Sequence, residues 1–432
     1  MEILRAAVFH TPANPFDSAS ALVSLPDGAL AIHAGRIAAC DDFATLRARY
    51  PGATVRDLRG GFLLPGFIDT HIHFPQARIT GSLGHSLLDW LRAVALPEEA
   101  RLAHLPYAQA LASEFADHLA AHGTTTSLVF GAHFAPAVAA LFDAADRKGL
   151  RLISGLVLSD RLLLPELHQT PEAAYAACRQ LAARVQGHAR LRYAVTPRFA
   201  LSAGEPMLDV CRTLLREEPG LYFTTHINEN PQEVSDVARL FPRARDYFDV
   251  YEQFDLATRR SVFAHNVQAT DDELRRFAAR DCAVAHCPSS NAALGSGIFP
   301  LRRHLDARVR FALGTDVGAG AGFGLLREAL QACLMQRVAE KPVTLRAAQL
   351  LYLATRAGAE ALGMESLTGD FSPGKAADFV YLRPPAGSVL AGSLKNSDDP
   401  DRQLAAIITM AGPESIREVR VEGSVVFEAP AG

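Results

Sequence analysis

The chain has 432 residues, 49% hydrophobic and 21% charged, with a formal net charge of -4. That length exceeds one average domain, and the balance is that of an ordinary globular protein rather than a disordered or fibrous one. Nothing in it suggests nucleic-acid or membrane partners: there is no basic footprint, and no run approaches the roughly 18 apolar residues of a membrane span.

The start, Met1 to Arg5, lacks a basic stretch followed by a long apolar core, so no secretion signal is expected. The six cysteines (40, 178, 211, 282, 287, 333) show no paired spacing, which predicts reduced thiols in a cytoplasmic protein. Residues 1 to about 60 alternate short apolar runs with turn formers. Asp27-Gly28 and Ala34-Gly35 sit where hairpin turns would fall, so this segment reads as a small β layer.

From residue 62 the pattern becomes strand, loop, helix, repeated. Candidate strands are 62–70, 124–130, 151–158, 191–195, 221–225, 261–264, 283–285 and 309–313. Helical stretches at 107–121, 136–148, 171–185, 206–216 and 271–280 separate them, and helices at 325–339 and 344–362 follow. Eight strands so spaced predict an α/β fold, a (β/α)8 TIM-type barrel, with a doubly wound sheet as the structural rival. The tail returns to short strands at 379–382, 404–409 and 419–427. Residues 1–64 and 366–432 are therefore expected to pair into one accessory β-sandwich domain beside a barrel of residues 65–365.

The polar groups fall at the carboxyl ends of the candidate strands, where such barrels carry their chemistry. The first strand ends in His71 and His73, which share one side because side chains alternate along a strand. An HxH pair by itself is commonly incidental, so the other tips must supply more ligands. They carry Arg198 and Phe199, His226 and Glu229, His265, His286, and Asp316. Five histidines and one aspartate converging on one face suit Zn2+, or Fe2+ in a more open shell; Ca2+ and Mg2+ prefer oxygen ligands. Glu229, three residues past His226, is the obvious carboxylate to shuttle protons for a hydrolytic metal. Its bland alternative is a helix-start Glu near Pro231.

Several stretches carry a resemblance to a known family. PGFIDTHIH at 65–73, HINE at 226–229, AHN at 264–266, HCPSSN at 286–291, LGTD at 313–316 and PGKAADF at 373–379 resemble the amidohydrolase superfamily over nearly the whole chain. Within it, HFPQ at 73–76, LLDWL at 87–91, LPE at 96–98 and TPRF at 196–199 resemble the guanine deaminase branch. The resemblance implies one zinc held by His71, His73, His226 and Asp316. It implies Glu229 as proton shuttle, Asp316 as base toward the attacking water, and His265 as a hydrogen bonder that orients the nucleophile. It also implies that Gln76, Arg198 and Phe199 recognise a purine base, that guanine is hydrolysed to xanthine and ammonia, and that the chain forms a homodimer. The fourth strand's tip, Val195 to Arg198, has no lysine to bridge two metals, in keeping with a mononuclear site.

Taken as residue types, Gln76 offers both a donor and an acceptor, Arg198 a rigid fork of donors, and Phe199 a stacking face. A rim salt bridge for Arg198 and core packing for Phe199 stay open, as does a plain packing role for Trp90, the lone tryptophan, which otherwise belongs to a lid over the site. The rival functions are deamination of another heterocycle (8-oxoguanine, cytosine or an s-triazine) and a non-catalytic scaffold barrel. His286 at its tip could also touch the pocket.

Overall fold

The computed structural model describes residues 1–430. Strands β1 (Glu2–His10), β2 (Val23–His33) and β3 (Arg36–Asp42) form consecutive antiparallel pairs. Ala34 and Gly35 make the β2–β3 turn with φ of 49° and 76°, the two positive values a tight hairpin turn needs. Asp27-Gly28 is no turn. It lies inside β2, where the register against β1 shifts between Ala6 and Val8, so the dipeptide marks a bulge.

The candidate strand at 62–70 divides at Gly66. Strand β4 (Thr54–Pro65) pairs with β1, while β5 (Phe67–His73) opens the barrel. Gly66 permits the crossing because a Cβ there would lie 2.2 Å from Thr125 Oγ1. The barrel continues through β6 (Thr124–Phe130), β7 (Arg151–Gly155), the two-residue β8 (Val157–Leu158), β9 (Leu191–Pro197), β10 (Tyr222–Ile227), β11 (Ser261–His265), β12 (Ala283–His286) and β13 (Arg310–Leu313). With β8 paired only to β9, the other eight run parallel in the order β5-β6-β7-β9-β10-β11-β12-β13. Closure comes just past the tips, where Asp316 N donates to His71 O (2.9 Å) and His73 N to Val317 O (3.0 Å).

The connecting helices bury alanine- and leucine-rich faces on the strands, as in Leu105–Ala121 and Ala135–Lys148. Two helical expectations change. The stretch 344–362 is two helices, Ala347–Ala354 and Arg356–Ala361, broken at Thr355. The expected strand at 404–409 is helix Pro400–Met410. Its short apolar run is ambiguous by pattern alone; the decisive signal is Asp399, whose side chain accepts from Asp401 N and Arg402 N with Pro400 at the first position. With Val389–Lys395 it forms a helical pair, and Pro400–Met410 packs on Leu325–Arg337 and Ala347–Ala354.

Strand β14 (Phe379–Leu382) matches its expected bounds, and 419–427 is a hairpin of β15 (Ile416–Val421) and β16 (Ser424–Glu428) turning at Glu422-Gly423. Both termini thus build one continuous seven-stranded sheet, β16-β15-β14-β4-β1-β2-β3. Leu4, Val8, Leu30, Leu63, Phe371 and Phe379 form an apolar cluster of their own there. Among the described residues no helix is long and apolar enough to cross a membrane.

Candidate active site

His71 and His73 flank the buried Ile72 at the end of β5 and point into the barrel mouth. There His73 Nε2 lies 3.2 Å from His71 Nε2, 3.1 Å from His226 Nε2 and 3.2 Å from Asp316 Oδ1, and His71 Nε2 is 3.3 Å from the same oxygen. Four ligands about 2.0–2.1 Å from a tetrahedral metal stand about 3.3 Å apart, so the spacing has the edge length of such a site. His226 Nδ1 is 2.6 Å from Arg198 O. A carbonyl only accepts, so Nδ1 carries the proton and Nε2 turns a bare lone pair toward its neighbours. Acceptors crowded this closely repel one another unless a cation sits among them.

Burial keeps the imidazoles neutral, lowering His71 and His226 and drawing His73 down to about 4. Burial opposes the charge on Asp316, but hydrogen bonds to His71 and His73 outweigh it and hold the carboxyl well below its usual range. The donor set fits a borderline divalent ion. His265 is also close: its donor atom and those of His71, His226 and Asp316 all lie within 4.8 Å of one another. Yet its Nε2 is 3.5 Å from Glu229 Oε2 and 3.9 Å from Asp316 Oδ2, looser than the spacings around His73, and its Nδ1 is tied to Asn291 Oδ1 at 2.9 Å. The tighter set is His71, His73, His226 and Asp316.

Glu229 sits beside this group, buried, with Ser296 Oγ donating to its Oε1 at 3.4 Å and His265 Nε2 facing its Oε2. Burial first, then the charge of Asp316, push its carboxyl well above the usual range. Helix Pro231–Leu240 begins immediately after it, but the capping there is done by Asn230 and Glu233. The helix-start role open to Glu229 thus belongs to other residues. His265, Asn266 and Asp316 adopt left-handed backbone (φ 74°, 50° and 48°), as does Asn228 (φ 50°), strain concentrated at the tips of β10, β11 and β13.

A pocket opens onto the cluster. Gln76, Trp90, Arg198 and Phe199 all line it, together with Leu87 and Leu91. His286 does not. It stacks on Phe299 with ring centroids 4.2 Å apart, away from the other four histidines.

Sequence reasoning missed several contributors. Phe130, at the tip of β6, packs its ring 4.5–5.0 Å from those of His71, His73 and His226 and supplies the apolar wall that desolvates them. Ser290, inside the HCPSSN run, donates to Asp316 Oδ2 at 2.5 Å. Asp69 accepts from Thr315 Oγ1 (2.5 Å) and from the backbone of Thr315 and His71, tying the two ligand-bearing tips together. Glu99 follows the LPE stretch, whose own Glu98 pairs with Arg101 and Tyr107. Alternation marked Asp69 and the motif marked Ser290; nothing local marked Phe130.

The amidohydrolase family profile matches residues 62–426. The chain belongs to that family. A short stretch, residues 28–53, also matches an imidazolonepropionase-like composite domain of bacteria. A probable guanine deaminase of Deinococcus radiodurans is 55% identical over the full length of both chains. The solved guanine deaminase of E. coli superposes with a TM-score of 0.96 at 36% identity, covering 99% of this chain and 100% of that one. The one from Bradyrhizobium japonicum gives 0.94 at 32%, with 99% of each chain covered. As an amidohydrolase, the protein is a hydrolase whose His and Asp cluster is suited to a metal.

Proposed function

We infer that this amidohydrolase is a zinc-dependent guanine deaminase, converting guanine to xanthine and ammonia. The observation that carries the reading is one pocket that opens onto a four-donor cluster at tetrahedral edge spacings and is lined beside it by Gln76 and Arg198. The names of its full-length relatives support the same substrate. His71, His73, His226 and Asp316 would hold zinc, or Fe2+ in its place; bound there, the ion would polarise a water molecule and bring its pKa to about 7.

The acid and base roles follow from two carboxyls pushed apart. Glu229, held protonated by burial, delivers a proton to the ring nitrogen beside the amino-bearing carbon. Asp316, held ionised, accepts the proton of the attacking water. That oxygen adds to the ring carbon, Glu229 relays the water's proton from Asp316 to the amine, and the tetrahedral centre collapses as Glu229 takes up the hydroxyl proton and is reset, so ammonia leaves and the ring keeps a new carbonyl. His265, turned toward Glu229 and Asp316 and braced by Asn291, orients the nucleophile. Phe199 and Trp90 bound the flat base while Gln76 and Arg198 read its edge.

Ammonia release from guanine by protein of measured metal content tests the assignment. Stoichiometric zinc with turnover of guanine well ahead of 8-oxoguanine, cytosine or an s-triazine is expected; a zinc-loaded protein inert toward guanine overturns it.

A further inference from the structure

Behind Gln76 and Arg198, on the side away from the metal ligands, lies a buried carboxylate that no step above uses. Glu99 comes from the short helix Leu96–Ala100 and is 2% exposed. Its Oε1 accepts from Gln76 Nε2 (2.8 Å) and Arg198 Nη1 (2.8 Å), and its Oε2 from Arg198 Nη1 (2.6 Å) and His133 Nε2 (3.2 Å). Gly318 N donates to Gln76 Oε1 at 3.1 Å, so the Gln76 amide has one orientation only: nitrogen to Glu99, oxygen to Gly318. One N–H and one lone pair of that amide remain for a ligand. Among the described residues Arg198 Nη2 and Nε have no protein partner, although the guanidinium borders the pocket.

The charges follow the same plan. His133 is fully buried, and burial lowers its pKa in spite of Glu99, so it remains a neutral donor. Among the described residues, the cation at the reading edge is Arg198 and the anion paired with it is Glu99. A buried guanidinium without that partner would draw an anion into the pocket.

We propose that Glu99 is a positioning and specificity-determining residue: it aims Arg198 and Gln76 as one preformed edge and cancels the charge of Arg198, so that the pocket takes a neutral oxopurine in preference to an anionic one. The proposal rests on the guanine deaminase reading and deepens it. Glu99 touches no reacting atom; it acts through the two side chains it holds.

The test uses the zinc-loaded enzyme with hypoxanthine as a neutral inhibitor and urate as an anionic one, at a single neutral pH. Glu99→Gln keeps the size and removes the charge. Its kcat/KM for guanine should fall about ten- to a hundredfold, the range for losing a hydrogen bond to a charged group, with the loss in KM rather than kcat. The ratio of the urate to the hypoxanthine inhibition constant should fall at least about tenfold, since urate gains where the neutral base loses. In an Arg198→Met background the same Glu99→Gln change should cost little, because the charge it balances is gone. That doubly altered protein carries no lone buried charge and gives the comparison even if Glu99→Gln alone folds poorly. Equal weakening of both inhibitors, a loss confined to kcat, or full additivity with Arg198→Met overturns the proposal. A wild-type enzyme inert toward guanine removes the functional reading instead, and the inhibitor ratio, read by direct binding, still decides the role of Glu99.

Discussion

At the residue scale, each site side chain does its work through a neighbour that sets its charge or direction. Arg198 shows this twice: its carbonyl fixes the tautomer of His226 while its guanidinium enters the pocket. Glu229 and Asp316 are both buried carboxyls, yet burial, with the charge of Asp316, pushes the first up, while hydrogen bonds to His71 and His73 overcome burial and hold the second down. Glu229→Gln should therefore keep its metal and lose about 10²- to 10⁴-fold in turnover, the usual share of general acid–base catalysis. Elemental analysis beside an ammonia assay checks both halves, and wild-type turnover would remove Glu229 from its role. Asp316→Asn should damage metal retention as well as turnover, because the same oxygen faces His71 and His73. Gly314 sets the approach of the last ligand tip to the first. A Cβ there would stand 2.8 Å from His71 Cβ and 3.0 Å from its backbone N and O. Gly314→Ala should thus lower metal affinity with little change in the sheet, read by a chelator competition titration.

At the element scale, the loop after β5 is where local pattern and structure part. The segment is a chain of short helices, Leu87–Trp90, a π-helical turn Leu91–Ala95, then Leu96–Ala100. The π turn adds a residue to the helical repeat, so Trp90 and Leu91 border the pocket while Glu99 meets Gln76 and Arg198 and Glu98 turns to Arg101 and Tyr107. A regular 3.6-residue reading cannot choose between adjacent glutamates. Helix Leu325–Arg337 carries a comparable buried carboxyl, Glu328, which accepts from Ser289 N and Oγ. Burial, only partly offset by those bonds, raises it from 4.5 to about 8. A raised carboxyl makes the folded state bind more protons than the unfolded one, so stability falls as pH rises from about 4.5 toward 8. Glu328→Gln removes that dependence. Its melting temperature relative to wild type should climb between pH 5 and pH 8, and a constant difference would show that Glu328 is ionised in the fold.

At the scale of the whole molecule, the barrel and the terminal sheet are joined by charge as well as by apolar contact. Arg151, at the start of β7 and 1% exposed, pairs with Asp378 at 3.2 Å and with Glu422 at 3.4 Å. Asp378 also accepts from Thr368 Oγ1 (3.0 Å) and Glu422 N (2.7 Å), so the PGKAADF motif contains the group that ties tail to barrel. Taking one partner from such a buried pair costs about 3–5 kcal/mol. Arg151→Met should show that loss in denaturant unfolding while leaving the metal site, at the opposite ends of the strands, occupied. A loss below about 1 kcal/mol would mean that the two parts are held by apolar packing alone.

The barrel and the position of the polar cluster were legible in the chain because both rest on local order. Alternation put His71 and His73 on one side, and apolar strands separated by alanine-rich helices lead to a parallel barrel whose tips share one rim. Three-dimensional packing decided the rest. It divided the candidate strand at 62–70 between two sheets, turned 404–409 into a helix on the barrel, and took His286 out of the converging set by stacking it on Phe299. It also brought Glu99 and Phe130 to the site from positions with no local signal for it. Periodicity tells which side a residue faces, whereas a residue's partner is set by contacts between segments distant in the chain. Those contacts give Arg198 its counter-ion and Glu229 its proton, and they arise only when the strands close.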